Sequence, residues 1–454
     1  MPLSYPFVSH IVSHTTLLAL LLTPLAASAM DIRVSKTSDS LDGVCDADCS
    51  LREAVLLANA TAGAHRIRLA AGTYALTLAT PIDDEGRVFD EDENLHGDLD
   101  ITSTLEIIGA GSATSFIDGS QNDRILEVLS GASLRLRGLT LQNGFTSKDG
   151  GALLNHGHSV LEHVHLQINR VGMGYRDGEG GGAISNLGTL EVYWSRFENN
   201  SASFGDSGAA FGGAVFNKGD LIVRDSLFQN NGVDSDDEVG IGGALFNIGT
   251  ADVARSVFLY HSADGVGTTI RNDGNGVLRL TNVTVSGKSG GGENESGAAV
   301  ANGSDYPMYR GVPSLQLINV TIADNHTLGL INYGKLLIRN SLIAGNSYDE
   351  SSNCLNGGDT YSYHARGLIL GNGPGNCTAD LYIENADTFI KLIYPLADNN
   401  STLPSHALRR GSVAVDAGTG SCTRTDQRRL DRPRDGDGDG VARCDLGAYE
   451  RAKP

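Results

Sequence analysis

The chain has 454 residues, a formal net charge of −20 and 58 glycines, with only 6% aromatic residues. That charge excludes a nucleic-acid partner and an anionic membrane surface, whose phosphates would repel it. Length alone would allow about three domains, but an internal repeat overrides that prior in favour of one long solenoid.

Residues 1–29 read as an export signal, with an apolar run from Leu17 to Leu22 and a small-residue cleavage site at Ala27-Ser28-Ala29. The run is too short to span a bilayer, and no later stretch is long enough. The mature chain is therefore expected to be soluble and exported, without a transmembrane segment.

Residues 30–100 form a cap and a first coil. Ser50 as N-cap and Glu53 three residues on make a capping box for a short helix. Leu51, Ala54, Val55 and Ala58 share one helix face, which is expected to close the open end of the first coil. Alternation resumes at Ile67-Arg68-Leu69, and Gly72-Thr73-Tyr74 turns into Leu76 and Leu78. The Gly109-x-Gly111 pair has no helix after it and reads as a coil turn, not a phosphate loop.

Residues 101–347 carry the repeat. Gly-Gly-Ala-apolar-x-Asn starts at Gly150, Gly181, Gly212 and Gly242, at intervals of 31, 31 and 30 residues. Each copy leads into alternating apolar positions, such as Leu190 and Val192 or Leu221 and Val223, which is a strand pattern. No helical pattern intervenes. The expected fold is all-β, a right-handed parallel β-helix with a short N-terminal capping helix and an irregular, disulfide-bearing C-terminal cap.

Such a coil aligns like side chains roughly 4.8 Å apart. Asn155, Asn186, Asn217 and Asn247 then form an amide ladder, continued more faintly by Asn272, Asn302 and Asn332. Asn also tolerates a left-handed corner, which is expected at this place in each turn. A second file holds Asn169, Asn200 and Asn231, and a third holds Phe197, Phe228 and Phe258. Acidic residues fill the loops between repeats: Asp177, Glu179, Asp206, Asp234, Asp236, Asp237, Glu238, Glu293 and Glu295. His156, His158, His163 and His165 crowd one segment, where convergence would allow zinc or copper binding.

Residues 348–400 hold a last coil and a disulfide loop, and residues 401–454 a C-terminal segment. The six cysteines fall in close pairs, Cys45 with Cys49, Cys354 with Cys377 and Cys422 with Cys444. Local pairing is expected, since each pair lies outside the regular repeat, although six cysteines admit about 15 connectivities. A metal site at Cys45 and Cys49 would lack a second Cys/His pair. Asp435, Asp437 and Asp439 alternate with glycine and end in Gly440, like the first half of a calcium loop. Leu446 stands where a bidentate Glu should, with Asp445 one place early. Calcium is the one cofactor this suggests.

Cys49-Ser50-Leu51-Arg52-Glu53-Ala54 matches the motif that names the CSLREA-domain proteins. Gly97-Asp98-Leu99-Asp100-Ile101-Thr102, Ile107-Ile108-Gly109-Ala110-Gly111 and Ile117-Asp118-Gly119 also resemble that family. Val415-Asp416-Ala417-Gly418, Asp426-Gln427-Arg428, Arg432-Pro433 and Cys444-Asp445-Leu446-Gly447-Ala448-Tyr449-Glu450 are similar to the choice-of-anchor segment found with it. The repeats resemble those of polymorphic outer membrane proteins, with Phe-x-x-Asn at Phe197 and Phe228; Phe258 to His261 departs from that motif. The resemblance implies a bacterial β-helix of pectin lyase type, secreted or held at the cell surface or outer membrane. It implies no reaction. The leading expectation is a monomeric, non-enzymatic adhesin or scaffold for an extracellular glycan or surface protein. The alternative is a lyase or hydrolase of uronic-acid polymers, with Asp206, Asp236, Asp237, Arg176 and Arg224 as candidates on one flank.

Overall fold

The computed structural model describes residues 1, 29–81, 91–172, 180–204, 210–235, 240–263, 267–288, 297–305, 309–346, 353–358, 362–373 and 375–452. The export signal lies almost wholly outside these, as do Arg176, Asp177, Glu179, Asp206, Asp236, Asp237, Glu238, Glu293 and Glu295. Among the described residues no helix is long and apolar enough to cross a membrane.

The chain winds as a right-handed parallel β-helix. Among the described residues every pairing between strands is parallel, as short strands on successive turns require, and only isolated bridges in the C-terminal segment are antiparallel. Each regular turn contributes to three long faces, and five turns add a strand to a separate five-stranded sheet. The first is a 10-stranded sheet running from Leu99–Ile101 through Ile184–Asn186 to Cys354–Asn356. The second and third belong to one 22-stranded sheet. Five-residue strands such as Thr189–Tyr193 build the second face, and three-residue strands such as Arg196–Glu198 build the third. Inward positions stack Leu, Ile and Val from turn to turn into one continuous core.

The files expected from the repeat are present. Asn155, Asn186, Asn217 and Asn247 lie wholly buried, and each side-chain amide donates to the next carbonyl at 2.6–2.7 Å. Asn272, Asn302, Asn332 and Asn356 carry the ladder on. These Asn residues end strands; none is left-handed. Positive φ falls instead on the leading Gly of each repeat, such as Gly181 at 77°, and on two outer corners. At the first corner stand His163, Trp194, Asp225 and Arg255, and at the second Ile168, Asn199, Asn230 and Tyr260. The second Asn file follows that second corner, with Asn169 and Asn200 donating upward to Asn200 and Asn231. His261 continues it, its Nδ1 accepting from Asn231 N–H. Phe197, Phe228 and Phe258 stack inside at centroid spacings of 4.4 and 4.6 Å.

The helix Leu51–Ala60 has its capping box and turns Leu51, Ala54, Val55 and Ala58 into the first coil. The three local disulfides form, Cys45–Cys49, Cys354–Cys377 and Cys422–Cys444. Cys354 sits within a repeat strand of the first face, so this pair ties the last coil rather than lying apart from it. Three bridges indicate an oxidising compartment.

The C-terminal segment does more than close a rim. After Thr388–Leu392 it turns back along the third face. Leu392, Ile393, Leu408, Ala414 and Leu446 pack on Ala323, Leu342, Ala344 and Ile369. Leu403 and Leu396 cover Leu227, Val257 and Leu259. Its farthest reach is Arg429, which forms a two-bond ion pair with Asp225 and lies 5.4 Å from the Trp194 ring centroid.

Candidate functional site

Two regions combine clustered polar side chains with a fixed backbone. The first is the part of the third face that the C-terminal segment leaves open. One outward row there runs Asp118, Gln142, Gln167, Glu198 and Gln229, one residue per turn in register. The next member is Leu259, already beneath Leu403. A parallel row holds Thr140, His165 and Arg196 before Leu227. Gln167 donates to Gln142 at 2.8 Å, and Gln142 to Asp118 at 2.8 Å. Glu198 stands 2.9 Å from His165 and 2.5 Å from Arg196. Burial outweighs that carboxylate and lowers the His165 pKa. The floor is flat and bounded by its corners. Trp194, 43% exposed, stacks on His163 on one side; Ile168 and Tyr260 stand exposed on the other.

The second region is an acidic cluster on the outward side of the first face. Asp100 and Glu127 are register partners on adjacent strands. One oxygen each of Asp98, Asp100 and Glu127 lie within 4.8 Å of one another. Arg124 donates to Asp98 at 2.8 Å and to Glu127 at 2.6 Å. Asp100 is 0% exposed, and neither of its carboxylate oxygens has a hydrogen-bond partner. Burial, then Asp98 and Glu127, push its pKa up to about 9.

The backbone beneath this cluster is clamped by the N-terminal cap. Arg52, also 0% exposed, donates to the carbonyls of His96, Gly97 and Asp98 and pairs with Asp39. Asn94 exchanges two bonds with the Asp100 backbone, and Asn59 donates to its carbonyl. The Cys49–Ala54 and Gly97–Thr102 motifs thus form one unit, with Arg52 as the link.

The residues singled out in sequence fare differently. Asp435 and Asp437 do approach one another, but their third neighbour is Asp416, and Asp439 and Asp445 lie outside that group. Local turns explain this: Asp435 accepts from Gly438 and Gly440 N–H, and Asp439 from Val441 N–H. Asp445 is turned inward to Asp416 N–H and Arg451 N–H, and burial raises its pKa to about 7. The four histidines do not converge. His156 lies 3.7 Å from Glu127, His158 3.0 Å from Glu191 and His165 2.9 Å from Glu198, while His163 stacks on Trp194. The left-handed corner at His163 separates it from the strand of His165. Arg224 is committed to Asp252.

Fold and site together define a disulfide-braced parallel β-helix with one open polar face. No protein-family model matches the chain, and no curated protein matches it in sequence. Among solved structures it is similar to pectate lyase Pel9A, with 15% identity and a TM-score of 0.48 over 94% of this chain and 98% of that one. It is also similar to a mutant of the PL6-family alginate lyase AlyGC, with 12% identity and a TM-score of 0.33 over 88% of this chain and 58% of that one. These are likenesses in the course of the chain.

Proposed function

We propose that the protein is an extracellular scaffold that binds an extended, uncharged glycan along the open part of the third face. The observation that supports this most is the row from Asp118 to Gln229, which offers side-chain donors and acceptors at every turn. Amides both donate and accept, and so match hydroxyls, which do the same. The flat floor and one-turn spacing suit a linear polymer better than a compact ligand. A net charge of −20 disfavours polyanions. Retention of the mature protein on insoluble neutral glycans tests the reading. Wild type is retained, and the double variant Gln167→Ala/Gln229→Ala elutes early; equal retention of both refutes it.

A second reading, cleavage of uronate polymers on the first face, draws on Lys218. Its amine lies 4.9 Å above the Phe216 ring, and burial lowers its pKa. Asp149 acts on it electrostatically. A depressed lysine is the kind of base such eliminations use. Unsaturated products from pectin or alginate, lost in Lys218→Met, would displace the scaffold reading.

A further inference from the structure

We propose that Asp98, Asp100 and Glu127 form a binding site for a hard divalent cation, calcium foremost. The cluster is not a surface accumulation of acids. All three residues are buried, at 3%, 0% and 9% exposure, and their oxygens converge within 4.8 Å. Arg124 engages two of them. The third, Asp100, is left in the interior with both oxygens unbonded. A buried carboxylate without a partner is strongly unfavourable. Two outcomes relieve it: a proton, consistent with the raised pKa, or a cation bridging the three groups.

The frame favours the cation. Arg52, Asn59 and Asn94 spend eight hydrogen bonds on fixing the Asp98–Asp100 backbone and its approach from His96, or on anchoring Arg52 to Asp39. None of them reaches the Asp100 carboxylate. A segment held this firmly around an unsatisfied acid is preorganised for something that must arrive from outside. The donors are all carboxylate oxygens, which select calcium, magnesium or manganese over zinc or copper. Three protein ligands leave coordination positions for water.

The site is independent of the glycan floor, which lies on another face. The test uses the mature protein treated with EGTA, then titrated with calcium chloride or magnesium chloride alone, by calorimetry and thermal melting. A saturable heat and a Tm rise of about 3 °C at a hundredfold excess over Kd are expected. Asp100→Asn and Glu127→Gln should each abolish both signals, while Asp435→Asn/Asp437→Asn keeps them. In EGTA, Asp100→Asn should melt no lower than wild type, because it removes an unsatisfied acid. If Asp100→Asn does not fold, Glu127→Gln and the wild-type titration decide. No response of the wild type to either metal overturns the proposal. So does a response that survives Asp100→Asn or Glu127→Gln, or one that is lost with the Asp435/Asp437 pair.

Discussion

Asn217→Ala probes the stacking on which the fold depends. The Asn217 side chain donates to Asn247 Oδ1 at 2.6 Å, to Gly219 O at 3.0 Å and to Thr250 O at 3.1 Å, and accepts from Asn186 at 2.7 Å. Truncation removes all four and takes the ladder donor away from Asn247 Oδ1, which is buried. The two amide hydrogens are shared among three acceptors, so with the bond accepted from Asn186 they amount to about three bonds at about 1 kcal/mol each, and a further ~1 kcal/mol for the stranded acceptor brings the cost to about 4 kcal/mol. For a chain of this size melting as one unit, that corresponds to roughly 4 °C in Tm. Asn217→Asp keeps the shape but removes the donors, and should cost as much or more at neutral pH. Arg279→Ala, on the exposed second face, serves as the reference and should cost less than about 0.5 kcal/mol. Circular dichroism melts of the mature, oxidised protein give the comparison. An Asn217→Ala midpoint equal to that of Arg279→Ala would refute the ladder as a source of stability.

Arg52→Met should destabilise by about 3–5 kcal/mol, because it leaves the buried Asp39 carboxylate without its counter-charge and the carbonyls of His96, Gly97 and Asp98 without that donor; an unchanged midpoint contradicts the clamp. His261 gives a pH signature. Burial depresses its pKa to about 4 from 6.5, so the unfolded chain takes the proton first as pH falls. The stability of neutral His261 is complete above about pH 6.5 and is lost progressively down to about pH 4, by about 3 kcal/mol in all. His261→Asn, which restores the residue of the preceding turns, should flatten the decline in Tm across that window. An identical decline in both proteins counts against the assignment.

Much of the fold was legible because the repeat aligns chemistry at a fixed interval. The Asn and Phe files could be read from spacing alone, and even the departure at His261 marked a position rather than a gap. The acidic cluster was not legible in the same way. Asp98 and Asp100 were visible only as part of a family-like motif, and Glu127 lies 27 residues on, outside the regular 31-residue period. The available signal was an acid at the outward position of one strand followed by another a short turn later. The course of the C-terminal segment was hidden for a different reason. Its contacts, such as Arg429 with Asp225 at a separation of 204 residues, follow no period. At the calcium-like spacing, Asp435 and Asp437 come together with Asp416 rather than with Asp439 and Asp445, a partner 19 residues upstream of Asp435 that the local Asp-Gly pattern does not point to.

Trp194 is the sole tryptophan, and it stands 43% exposed at the rim of the open floor, two residues from Arg196. Its fluorescence therefore reports on that floor and on the Arg429 contact beside it. Titration of the mature protein with a soluble neutral oligosaccharide should shift the emission saturably, with a midpoint that calorimetry reproduces and that Gln167→Ala/Gln229→Ala weakens at least tenfold, by about 1.4 kcal/mol. Saturable binding that leaves Trp194 emission unchanged and is indifferent to those two glutamines would place the ligand elsewhere and contradict the account.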